Sequence, residues 1–213
     1  MDNADAYLFD MDGTLVDSHA VVEAVWTEFC QRHGLDPRAV LAFAHGRQAG
    51  DTVAHFLPAL TDSAQAELVA GLLAAEVART DGIVEVPGAR RLLAALAERG
   101  AGVAIVTSAS RELALARLNA AGVGVPQVIV AAEDVECGKP DPSCYLLAAS
   151  RLGAPIERCV VFEDAEAGLA AAIASGARVV VVGSHVSALT DGLERIGDYA
   201  GAVPGVEDAP VAS

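Results

Sequence analysis

Ala6-Tyr7-Leu8-Phe9-Asp10-Met11-Asp12-Gly13-Thr14 carries four apolar residues straight into two acids, a glycine and a threonine. A short run that is apolar throughout, rather than alternating, is what a strand covered on both faces by helices requires. Four further runs of this kind follow, at 103–106, 128–132, 159–162 and 179–182. Helical patterns separate the later runs. Residues 89–99 end at Gly100, 110–121 at Gly122 and 165–175 at Gly176, each glycine placed to close a helix. Asp141-Pro142 reads as an acid capping a helix that opens on proline, with Ser143–Leu152 as its body. The alternation predicts an α/β fold, a Rossmann-like parallel sheet flanked by helices.

The first run stands apart from the others. Between Thr14 and Thr107 lie 92 residues. One βαβ unit takes roughly 30, which leaves about 60 surplus. Segments 21–33, 51–57 (stopped by Pro58) and 63–79 read as helices, and none of the strand-like runs falls among them. The expectation is therefore a core built from 1–16 and 85–213, with an α-helical cap at 17–84 and hinges near 16–19 and 82–87. Residues 206–213 read as a frayed tail.

Composition narrows the classes. The chain has 213 residues, 53% hydrophobic and only 4% aromatic, enough for a large aliphatic core without covalent staples. That apolar fraction excludes disorder. A formal charge of −15 with no basic run argues against nucleic acid or an anionic membrane as partner. No run approaches the ~20 apolar residues of a membrane span. The acidic start, residues 1–5, lacks the basic and apolar regions of a leader. Cys30, Cys137, Cys144 and Cys159 show no C-x-x-C spacing, so neither a zinc site nor a disulfide framework is indicated. The reading is a cytoplasmic protein with reduced thiols, a monomer or a small homo-oligomer.

In an open parallel sheet, ligands bind beyond the carboxyl ends of the strands. At those ends the chain places Asp10 to Thr14, then Thr107-Ser108, then Glu163-Asp164. Lys139 joins them from Gly138-Lys139-Pro140-Asp141-Pro142. Four carboxylates, a hydroxyl and an ammonium thus meet on one rim. Singly, each has an ordinary explanation: Asp12-Gly13 a turn, Ser110 a helix cap, Glu163-Asp164 acids at a helix start. Together they place two acidic clusters face to face, which destabilises unless a cation sits between them. Lys139 is the single lysine beside 13 arginines; a compact ammonium differs from a planar guanidinium and suits phosphate as a point charge. Mg²⁺ takes one or two carboxylates with waters and substrate phosphate, and Asp10, Asp164 and the backbone carbonyl of Asp12 fit that need. Ser108 and Lys139 would then hold the phosphoryl oxygens. Asp10 would attack phosphorus, with Asp12 as acid for the leaving alkoxide and later as base for water.

The order D-x-D-G-T, T-S, G-K-P-x-P and E-D-x-x-x-G resembles the haloacid dehalogenase superfamily of phosphohydrolases, and the resemblance spans nearly the whole chain. It implies Asp10 as nucleophile, Asp12 as acid/base, Asp164 as a direct Mg²⁺ ligand and Glu163 as one acting through water. It implies phosphate binding by Ser108 and Lys139, and a mobile cap in the helical insertion. His33-Gly34-Leu35, Ala44-His45-Gly46-Arg47-Gln48 and Val106-Thr107-Ser108-Ala109-Ser110 are similar to sugar and hexitol phosphatases, glycerol-3-phosphatases and 2-deoxyglucose-6-phosphatases. On that likeness His45, Arg47 and Gln48 are candidate donors to the hydroxyls of a small phosphorylated sugar or polyol. A sugar phosphomutase of the same fold is the first rival. Thr14 and Val22 stand where such relatives carry a hydrophobic residue and a cap histidine, and both departures favour hydrolysis. A signalling receiver is a more distant rival, since receivers place the acidic pair first and the phospho-acceptor later. A dehalogenase would need neither Asp12 nor metal, and no G-x-x-x-x-G-K-[ST] motif supports a nucleotide-binding module.

Overall fold

The computed structural model describes residues 4–201; the expected frayed tail at 206–213 lies outside them. Six parallel strands form the sheet, in the order β5 (Val128–Val130), β4 (Gly102–Val106), β1 (Ala6–Phe9), β6 (Cys159–Glu163), β7 (Arg178–Val182) and β8 (Glu194–Ile196). Phe9 is level with Ile105 of β4 on one side and with Phe162 of β6 on the other. This register brings the residues after the three central strands to a common rim.

Alternate side chains of β1 serve two separate cores. Tyr7 and Phe9 pack with Leu92 and Leu96 of α5 (Ala89–Glu98) and with Leu113 and Leu118 of α6 (Arg111–Ala121). Ala6 and Leu8 face the other way, towards Tyr145 and Ala148 of α7 (Ser143–Leu152) and Leu169 and Ala172 of α8 (Glu166–Ser175). All four residues of β1 are buried, which is why the strand reads apolar throughout rather than alternating.

The surplus residues form α1 (His19–His33), α2 (Pro37–Ala44), α3 (Ala49–Phe56) and α4 (Asp62–Val77). Val25, Trp26, Phe29, Val40, Val53 and Leu72 give them a core of their own. The chain leaves and re-enters through a two-stranded antiparallel ribbon, β2 (Val16–Asp17) and β3 (Val84–Glu85), with Val16 opposite Glu85.

Several element ends depart from the sequence reading. The strand expected at 128–132 stops at Val130, because the Asp134 carboxylate accepts the Ala131 N–H at 2.8 Å and starts a 3₁₀ turn. The helix opened by Asp141-Pro142 has the expected body, Ser143–Leu152, but its cap position is Pro142 rather than Asp141, which accepts the Ser143 N–H at 2.9 Å. Helix α2 was not expected at all, although Asp36-Pro37 carries the cap signal and Asp36 does accept the Arg38 N–H. No helix among the described residues is long and apolar enough to cross a membrane.

Candidate active site

Asp10 leaves the end of β1 with its N–H donating to the Phe162 carbonyl at 2.9 Å, and its side chain is almost fully buried. Lys139 meets it from the loop before α7. The ammonium donates to Asp10 Oδ1 at 2.6 Å, to Glu163 Oε1 at 2.7 Å and to the Val106 carbonyl at 3.1 Å. All three of its hydrogens are engaged. Burial opposes its charge, but the facing Asp10 and Glu163 carboxylates prevail and hold it well above its ordinary value.

The resemblance gives Glu163 a water-mediated place at a metal. Its oxygens carry four protein donors: Lys139 Nζ and Tyr145 Oη on Oε1, and the N–H groups of Asp164 and Ala165 on Oε2. Fully buried, it anchors Lys139 and caps the approach to α8. The glycine of E-D-x-x-x-G now has a reason. A Cβ at Gly168 would lie 1.5 Å from Glu163 Oε1, so any other residue would evict the carboxylate.

Asp164 is half-buried and accepts from Thr14 Oγ1 at 2.9 Å. Gly13, at φ +84°, turns the chain so closely past it that a Cβ there would sit 2.1 Å from Asp164 Oδ2. Asp10, Glu163 and Asp164 each offer an oxygen within 4.8 Å of the others. Desolvation, and after it the neighbouring acid Glu163, push the Asp164 carboxyl upwards. Asp10 is also raised, first by burial, with Lys139 opposing. Three acids face one ammonium. The cluster has hard oxygen donors and uncompensated negative charge, the chemistry that suits a small divalent cation.

Asp12 faces differently. Its Oδ1 accepts from Ser18 Oγ at 2.6 Å, and its Oδ2 from Arg117 Nη1 at 2.8 Å. The side chain is thus bound away from the acidic cluster.

The four inserted helices close over this rim. Ser108, expected to bind phosphate, donates its hydroxyl to the Gly46 carbonyl at 2.9 Å. Gly46, at φ +76°, approaches so tightly that a Cβ would fall 2.9 Å from the Ala165 Cβ. His45 and Arg47 line the cavity that also holds Asp10, Asp12 and Asp164, and the Arg47 guanidinium lies 4.6 Å from the centre of the Phe43 ring. Gln48 does not line it. Its amide donates to the Ala132 carbonyl at 3.3 Å and its stem fills the space over Gly138, so it ties the insertion to the sheet. Ser110 caps α6 by accepting the Leu113 N–H, the ordinary role expected of it.

Arg117 was not singled out from the sequence. It lies four residues after Leu113, on the buried face of α6, and an arginine in an apolar register is a readable sign of a buried charge partner. It joins Asp12 to Glu76 of α4, which accepts from Arg117 Nη2 at 3.1 Å.

The family model for haloacid dehalogenase-like hydrolases matches residues 4–176. The chain belongs to that family. This hydrolase is 45% identical over 176 residues to hexitol phosphatase A of Escherichia coli (strain K12), an overlap covering 83% of this chain and 82% of that protein. It is 34% identical over 201 residues to 2-deoxyglucose-6-phosphate phosphatase 1 of Saccharomyces cerevisiae, covering 85% and 81% respectively. Among solved structures, CbbY from Rhodobacter sphaeroides in complex with phosphate superposes with a TM-score of 0.79 at 27% identity, over 92% of this chain and 95% of that one.

Proposed function

We propose that the chain is a Mg²⁺-dependent phosphatase for small phosphorylated sugars or polyols, working through a phosphorylated Asp10. The observation that carries this reading is the Asp10 carboxylate, bonded to Lys139 and set beside Asp164 beneath a lid of helices. Asp10, Asp164 and the Asp12 carbonyl would hold the metal. When bound, Mg²⁺ supplies charge neutralisation at the phosphoryl group.

Asp10 attacks phosphorus as the bond to the leaving oxygen breaks, and Lys139 keeps the reacting carboxylate beside a fixed positive charge. Asp12 gives its proton to the leaving alkoxide and takes one from the water that next hydrolyses the acyl phosphate. Ser108 is near enough to the rim to bind a phosphoryl oxygen once it exchanges the Gly46 carbonyl for it. The cavity beside Asp10 and Ser108 is about 100 Å³, and a second of about 520 Å³ shares His19, His45 and Asp164 with it. The substrates named for the relatives support a small sugar or polyol ester.

A phosphate-release screen over sugar, polyol and short organic phosphates tests the reading, and a mutase would convert a hexose 1-phosphate to its 6-phosphate without release. With a chelator, activity on the best ester is expected to fall below about 1% of its value, since metals of this kind contribute several kcal/mol to the transition state. Mg²⁺ should restore it and Ca²⁺ should not, its looser shell misplacing the attacking oxygen. Undiminished turnover in chelator would remove the metal from the scheme.

The lid gives a second expected outcome. Arg47→Ala is expected to lower kcat/KM for polyol phosphates about tenfold while leaving p-nitrophenyl phosphate, which has no hydroxyls, nearly unaffected. Gln48→Ala, which loosens a tie between insertion and sheet, should lower both alike. Equal losses for Arg47→Ala on the two esters would deny it a part in reading hydroxyls.

A further inference from the structure

Helix α6 presents Leu113, Ala114, Arg117 and Leu118 to the interior. Among these apolar neighbours, position 117 holds a guanidinium that is 4% exposed. Its Nε is a buried donor with no partner among the described residues. Burying a cation with one N–H unpaired sacrifices stability, and such local sacrifices cluster where function requires them. The two nitrogens that are satisfied point to two different parts of the molecule. Nη1 reaches Asp12, on the loop after β1, and Nη2 reaches Glu76, on inserted helix α4. Arg117, Glu76 and Asp12 all line the cavity.

The other Asp12 oxygen is held from the insertion. Ser18 occupies the cap position of α1 but makes no side-chain capping bond; its hydroxyl donates to Asp12. The Asp12 carboxylate is thus held by one residue of the core, Arg117 on α6, and by one of the insertion, Ser18. It is oriented by Ser18 on one side and, on the other, by an arginine whose second hand is fixed by Glu76.

We propose that Arg117, secured by Glu76, is the positioning residue of Asp12, so that the seating of helix α4 over the rim sets where the acid/base carboxylate points. The assignment rests on the phosphatase reading above. Arg117 acts through Asp12 and does not itself touch the ester.

A double-mutant cycle on the full chain tests it. Arg117→Met is expected to lower kcat about 10–100-fold, the range found when a group that orients a functional side chain is removed. The loss should be larger for glycerol phosphate, whose alkoxide needs a proton as it leaves, than for p-nitrophenyl phosphate, whose phenolate leaves without one, with KM changed less than about threefold, because the ester loses no contact. In an Asp12→Asn background the same substitution should change kcat less than about twofold, since nothing remains to be positioned. Glu76→Gln should show a smaller loss that vanishes in that background too. Arg117→Met leaves Glu76 buried without its cation, so the paired change Arg117→Met with Glu76→Leu guards against misfolding. It should unfold in urea near the wild-type midpoint and show the same loss of kcat. Wild-type kcat in either Arg117 variant, an undiminished effect in the Asp12→Asn background, or a loss confined to KM for polyol esters would overturn the assignment. A wild-type chain that releases phosphate from no ester would overturn the phosphatase reading itself, and this assignment with it.

Discussion

Asp10→Asn is expected to lower phosphate release by at least about 10⁴-fold, the scale on which a covalent nucleophile is missed. The amide matches the carboxylate in shape but offers no anionic oxygen to phosphorus, and its NH₂ group, turned towards Lys139, would meet a donor with a donor. The fold should survive the change. Lys139 keeps Glu163 and the Val106 carbonyl as acceptors, and the buried cluster of Asp10, Glu163 and Asp164 loses one of three like charges. Burial and those neighbours already push Asp10 up against Lys139's pull, so neutralising it relieves repulsion as well as breaking a pair. A thermal melt at or above the wild-type midpoint, together with lost turnover, is the expected pair of results. Activity within tenfold of wild type would eliminate Asp10 as nucleophile.

Lys139→Met is the second large effect, and it differs in kind. Removing a preorganised electrostatic group costs about 10²–10³ in kcat. Here the loss extends to folding, because Asp10 and Glu163 would be left buried without their cation, a change worth about 3–5 kcal/mol for a broken buried pair. Kinetics and a urea titration should therefore both respond, in contrast to Asp10→Asn. Lys139→Arg should recover little of either. The ammonium directs three hydrogens at three oxygens from a position that is 1% exposed, and a planar guanidinium cannot fill that point-like site without moving its walls. Wild-type rate and stability in the arginine variant would mean that the site needs only a positive charge.

The central sheet was legible because each of its inner strands is buried on both faces, and double burial writes itself as an unbroken apolar run. Strand β8 escaped notice for the converse reason: as an edge strand it exposes Glu194 and Arg195 and buries only Ile196. The ribbon of β2 and β3 was invisible because two residues a side carry no period. At the rim, Asp10, Glu163 and Asp164 were legible as charges gathered at strand ends, and Lys139 as the chain's single lysine in the loop that meets them. Which of their oxygens face solvent was not. The four donors on Glu163 include two backbone N–H groups and a tyrosine from another helix, and no spacing in the chain announces such convergence. The same holds for Ser108 and Gln48, whose partners are backbone carbonyls 62 and 84 residues away.

The ribbon at Val16 and Glu85 brings the way out of the sheet and the way back side by side. An insertion whose two ends meet is a module: it can be exchanged for another without re-threading the strands or disturbing β1. Transplanting foreign helices between those two residues is thus a route to new substrate preference on an unchanged chemical engine. The graft has a short list of terms to honour. It must present a hydroxyl where Ser18 meets Asp12, a carbonyl where Gly46 meets Ser108, and a carboxylate where Glu76 meets Arg117. A donor helix bundle lacking these three would fold onto the rim as a stranger.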